Sequence, residues 1–126
     1  MKRIFILVAV LAFAGCAPDQ PKTDPKADKE AIVKLRDSFE SAFNANDATE
    51  VGSLYSEAAV MLQANQPSIH GRAAVVASNK TFFDQFKAKI ALTPVNTSVS
   101  GDMAFDEGIY TMTRTLKVAG AKPATE

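Results

Sequence analysis

LRDSFESAFNANDATEVGSLYSEAAV, residues 35–60, holds the change of pattern that decides the fold. Together with Ile32 just before it, Leu35, Phe39, Ala42 and Phe43 recur at helical spacing, while Lys34, Asp37, Glu40 and Ser41 fill the opposite face. That spacing predicts an amphipathic helix over residues 28–45, with Glu30 and Lys34 as a supporting i,i+4 pair. Asn44-Ala45-Asn46-Asp47 interrupts the period. Asp47, followed three residues later by Glu50, is close to a capping box and opens a second, short helix that buries Val51, Leu54 and Tyr55.

Toward the C-terminus, Ala59 to Gln63 is a short apolar stretch, and Asn65-Gln66-Pro67 punctuates the chain as a turn. Ser68-Ile69 then pairs back as a brief strand. Gly71 precedes a third helix over residues 72–86, whose stripe is Val75, Val76, Phe82, Phe83 and Phe86. After it the period falls to two. Val95, Thr97 and Val99 alternate with Asn96, Ser98 and Ser100, Gly101-Asp102 offers a tight turn, and residues 103–115 resume an extended run. Helix, helix, short strand, helix and hairpin make an α+β pattern, with helices on one face of a curved antiparallel sheet.

Toward the N-terminus, residues 16–29 hold Pro18, Pro21 and Pro25 among Asp and Lys and show no apolar period, so they read as a tether. Residues 1–15 have the form of an export signal: Lys2 and Arg3, an unbroken apolar run from Ile4 to Ala14, then small residues. Phe13-Ala14-Gly15-Cys16 resembles the lipobox of bacterial lipoproteins, with Phe13 where that motif most often has Leu. The resemblance implies lipid on the Cys16 thiol and a membrane as partner. Because Ala17 is not the Asp that retains such proteins on the inner membrane, the expected location is the periplasmic face of the outer membrane.

Composition narrows the remaining chemistry. The 126 residues leave room for one small domain, here residues 30–126. Basic and acidic residues number fourteen each, and removal of Lys2 and Arg3 with the leader makes the remainder weakly acidic, which argues against a nucleic-acid partner. One Cys and one His exclude an internal disulfide and a structural zinc site. No Gly-rich phosphate loop, nucleophile elbow or metal-ligand cluster appears, so no cofactor or metal is expected.

Three segments in order, 35–60, Ile69 to Val75 (IHGRAAV) and Val99 to Thr113 (VSGDMAFDEGIYTMT), resemble the SnoaL-like, ketosteroid-isomerase-like members of the nuclear transport factor 2-like superfamily. The resemblance implies a cone-shaped, strongly curved antiparallel sheet wrapped around a long first helix, with a concave pocket at the wide end. It also places two further long strands beyond Glu126, leaving the strand from Met103 to Leu116 as an open edge. Members include isomerases, cyclases, dehydratases and oligomerisation modules, so the fold alone does not fix an activity.

In the isomerases a helix Tyr and a protonated Asp stabilise an oxyanion while another Asp moves the proton, an enzyme used as a standard worked case of tuned acidity. Counting back from the Asn44–Asp47 turn puts Phe39 at the Tyr position, and counting on from Leu54-Tyr55 puts Gln63 at the proton-shuttling position. The second family Asp falls on a strand after Glu126, and Glu57-Ala58 stands where an acidic pair is common. No catalytic residue is therefore assigned. The expected pocket residues are Phe39, Phe43, Tyr55, Met61, Gln63, His70, Phe82, Phe86, Tyr110 and Met112. Asp106 and Glu107, on opposite faces of one strand, do not form an acid–base pair. The resulting expectation is a non-catalytic module for a small apolar ligand, set against two alternatives: an isomerase-, hydrolase- or cyclase-type enzyme, and a module that dimerises with a second copy.

Overall fold

The computed structural model describes residues 24–125, so Cys16, the leader and the first part of the tether lie outside the described residues. Helix α1 spans Pro25–Ala45. It starts before the expected residue 28 because Asp24 Oδ1 accepts the Lys26 and Ala27 N–H groups at 3.0 and 3.3 Å. Pro25 at the first helical position forfeits no intrahelical hydrogen bond. Residues 25–29, assigned by composition to the tether, are thus the first turn of the helix; a capped, proline-led start carries no apolar period to reveal it.

Asn46 ends α1 in the left-handed conformation (φ 57°, ψ 37°). Helix α2, Ala48–Ser53, opens as expected on Asp47, whose Oδ1 accepts the Thr49 and Glu50 N–H groups, both at 3.0 Å. Strand β1 (Val60–Met61) pairs antiparallel with β2 (Ile69–His70). Helix α3, Arg72–Gln85, follows Gly71, whose φ of 86° suits glycine and whose N–H reaches the Ala59 carbonyl at 2.7 Å.

Strands β3 (Phe86–Ser100) and β4 (Met103–Leu116) form the long hairpin, and β5 (Ala124–Thr125) completes a sheet of order β3-β4-β5. The alternation at Val95–Ser100 marked only the distal half of β3. The strand begins directly at the end of α3, so Phe86, expected as the last residue of the helical stripe, is its first residue. Pro94 obscured the join, since proline disfavours strand interiors. Here it sits beside a register shift between Pro94 and Asn96, opposite Gly108, where a Cβ would run into the Thr93 carbonyl oxygen. On the far side of β4, Ala124 and Thr125 pair with Arg114 and Thr113, so that part of an edge expected to be open is covered.

The core is one aromatic cluster closed by small residues: Ala42, Phe43, Val51, Phe83, Ala88 and Ile90. Phe43 is its hub, 5.0 Å edge-on to Phe83 and 5.9 Å from Phe39, centroid to centroid. Helix α1 is fastened to the sheet by its polar side chains as well. Asn46 Nδ2 donates to the Ala88 carbonyl at 2.8 Å, and its Oδ1 accepts the Ala88 N–H at 3.1 Å. Asn44 repeats the exchange with Ile90 at 2.9 and 2.7 Å, and Glu40 Oε2 accepts the Leu92 N–H at 3.0 Å. These residues alternate along β3 and present their backbone groups to the edge that faces away from β4.

Replacing Asn46 therefore has two separable costs. Asn46→Ala is expected to destabilise the fold by about 3 kcal/mol, combining lost hydrogen bonds with the left-handed backbone. Asn46→Gly should recover about 1 kcal/mol of that by relieving the backbone alone. Denaturant titration measures both, and equal losses in the two variants would remove the backbone contribution.

Candidate ligand-binding hollow

A hollow of about 450 Å³ lies between α1 and the sheet. Ile32, Leu35 and Phe39 supply one wall because helical spacing puts them on a single face of α1. Leu54 and Tyr55, just after α2, and Leu92 of β3 supply the others, while Arg36 and Asp106 close one side. The Tyr55 ring meets Phe39 edge-on at 6.5 Å. Among the described residues its hydroxyl finds only the Met61 thioether sulfur, at 3.9 Å, a weak acceptor. Burial pushes the Tyr55 phenol above its ordinary value, so it stays a neutral donor.

Arg36 is the one charged group facing this space from α1. Only 12% of its side chain is exposed, and its Nε lies 3.5 Å from Asp106 Oδ2. That approach is an attraction between charges without an aligned donor, since the buried Nε makes no hydrogen bond among the described residues. Asp106 is held from its other oxygen, which accepts the Thr97 hydroxyl at 2.5 Å. Behind the pair, a smaller recess of about 130 Å³ is bordered by Arg36, Leu92, Asp106, Glu107 and Tyr110, so Arg36 borders two adjoining spaces.

Apart from His70, the expected pocket residues separate into three groups. Phe39 and Tyr55 face the hollow, and Met61 touches it through the Tyr55 hydroxyl. Phe43, Gln63, Phe82, Phe86 and Met112 border a different recess of about 570 Å³, beside α3. Tyr110, exposed on β4, borders the small recess. Phe39 and Gln63 therefore do not share one space. Gln63 follows β1 and begins the turn closed by the Gln66 N–H, which carries it beside α3 and into solvent.

His70, expected in a turn at the pocket border, is instead an exposed residue of β2 paired with Val60, its Nε2 2.8 Å from Ser68 Oγ. Arg72 is engaged in structure: its Nε donates to the Tyr55 carbonyl at 2.6 Å and its guanidinium pairs with Glu57 at 2.7 Å. Arg36 and Leu92 were not found by sequence reasoning. An Arg between Leu35 and Asp37 looks like ordinary helix surface, and only the partner strand makes it otherwise. Among the described residues, no three His, Cys, Asp or Glu side chains are placed to hold a metal ion.

Residues 35–126 match the family model of the SnoaL-like domain. No curated protein matches the sequence. Among solved structures, a ketosteroid isomerase-like protein from Erwinia carotovora atroseptica is similar at 22% identity, with a TM-score of 0.65, over 76% of this chain and 75% of its own. A conserved protein from Planctomyces limnophilus is similar at 18% identity, with a TM-score of 0.68, over 79% and 81%. A nuclear transport factor 2-like protein with a cystatin-like fold from Novosphingobium aromaticivorans follows at 20% identity, with a TM-score of 0.62, over 80% and 66%. At these identities the likeness is one of fold.

Half-buried Tyr55 gives the site a signature in alkali. The native state keeps the phenol proton to higher pH than the unfolded chain does, so this contribution to stability is full below about pH 10 and is lost as pH rises through the native value. Denaturant midpoints measured from about pH 9 to 11 should fall less steeply for Tyr55→Phe than for the unaltered protein. Parallel curves would contradict the burial of the hydroxyl.

Proposed function

The chain belongs to the SnoaL-like family, with the fold of the nuclear transport factor 2-like superfamily, and from that premise we propose a non-catalytic module that holds a small apolar molecule at a membrane. The observation that carries this reading is the hollow itself. Its walls are six aliphatic or aromatic side chains, and its volume of about 450 Å³ falls within the usual range for small-molecule sites. The residue at the position of the isomerase Tyr is Phe39, which brings area and no hydroxyl. Gln63, at the proton-shuttling position, opens on another recess and carries an amide without a usable acidity.

Saturable binding of the neutral dye Nile red, at one molecule per chain, is the expected result for the soluble domain. Leu92→Trp, which fills the hollow, should weaken it at least tenfold with the circular dichroism spectrum unchanged. Unaltered binding in that variant would place the dye elsewhere. Isomerase or hydrolase turnover that falls in step with dye binding would overturn the non-catalytic part of the reading.

The membrane enters through Cys16. A lipid on its thiol would anchor the domain without a spanning helix, and among the described residues no helix is long and apolar enough to cross a membrane. The tether would let the domain stand off the periplasmic face of the outer membrane. In a bacterial host the full chain should incorporate labelled palmitate and partition into the detergent phase, and Cys16→Ser should do neither. Labelling that survives the substitution would sink the anchor.

A further inference from the structure

The buried Nε of Arg36, without a hydrogen bond among the described residues, bears on what kind of molecule the hollow takes. Buried donors in folded proteins are nearly always paired, and an exception calls for a reason. Of the five N–H groups of Arg36, Nε is buried, lies 3.5 Å from Asp106 Oδ2 and makes no hydrogen bond among the described residues. Arg36 borders both the hollow and the small recess beside it, so an oxygen arriving in either space would come next to its guanidinium.

The surrounding charges decide which oxygen. Asp106 stands against the guanidinium, Glu107 borders the same small recess, and Glu40 lies one helical turn further along α1 with its Oε2 on the Leu92 N–H. One guanidinium thus shares its recess with two carboxylates, Asp106 and Glu107. A carboxylate guest would gain Arg36 but would meet this negative surplus in a partly desolvated space, where like charges repel strongly. A neutral acceptor gains the hydrogen bond without that repulsion.

We propose that Arg36 is the donor that orients the guest, and that Asp106 makes the hollow select uncharged, largely apolar molecules bearing a carbonyl-type oxygen over the corresponding carboxylates. This rests on the hollow being a binding site. Asp106 is then a specificity-determining residue: it holds Arg36 by charge while leaving its donors open, and it repels anions.

Three fluorescent probes with one aromatic body test the idea: the ketone prodan, 6-dimethylamino-2-naphthoate, and 2-dimethylaminonaphthalene, which lacks the acceptor. On the unaltered soluble domain, prodan should bind at least tenfold more tightly than either of the others. Arg36→Met should erase the advantage of prodan over the acceptor-free probe while leaving the latter within about twofold, a readout that a general loss of structure would not give. Asp106→Asn should raise naphthoate affinity at least tenfold relative to prodan. Should a variant fail to fold, the order of the three probes on the unaltered protein carries the test alone. Equal binding of all three overturns the selectivity but keeps the hollow as a site, whereas no saturable binding of any probe removes the hollow as a site and this inference with it.

Discussion

The exposed edge of β3 is closed by side chains where a sheet would ordinarily place another strand. Asn46, Asn44 and Glu40 of α1 take up the backbone groups of Ala88, Ile90 and Leu92 in turn, running antiparallel to the strand. At about 1 kcal/mol net for each of these five hydrogen bonds, the clasp contributes about 5 kcal/mol, comparable with the whole stability of a small domain. An edge left bare would instead invite pairing with another chain.

Everything that makes the hollow follows from that clasp. It fixes the rotation of α1, so Phe43 turns into the cluster with Phe83 while Ile32, Leu35 and Phe39 overhang the sheet. It also ends where β3 bends: Leu92 is the last residue engaged, and Pro94, with no N–H to offer the edge, sits at the register shift. Beyond it helix and sheet diverge, and Arg36 and Asp106 meet at one side of the gap. The lower part of the molecule is thus a closed core and the upper part a lined space, with the change occurring along a single strand.

Much of this was legible in local pattern. The apolar face of α1, the Asp47 cap of α2, the Gly71 start of α3 and the Gly101-Asp102 turn are decided by neighbours a few residues apart, and each lies where the spacing put it. Helix α1 begins earlier than the apolar period implied, because a cap and a proline at its start need no buried face. The proximal half of β3 was hidden by Pro94, whose tolerance depends on Gly108 across the hairpin.

The sequence by itself determined the class of fold, the helix faces and the family, since periodicity and caps act over one or two turns of chain. Tertiary structure alone decided which residues share a space. Phe39 and Gln63 were joined by analogy and are separated by the turn after β1, while Arg36 and Asp106, far apart in sequence, are brought together by the fold. The physical reason is that a side chain's face is set by its own element, whereas its partner is set by the register and bend of another element far away in sequence.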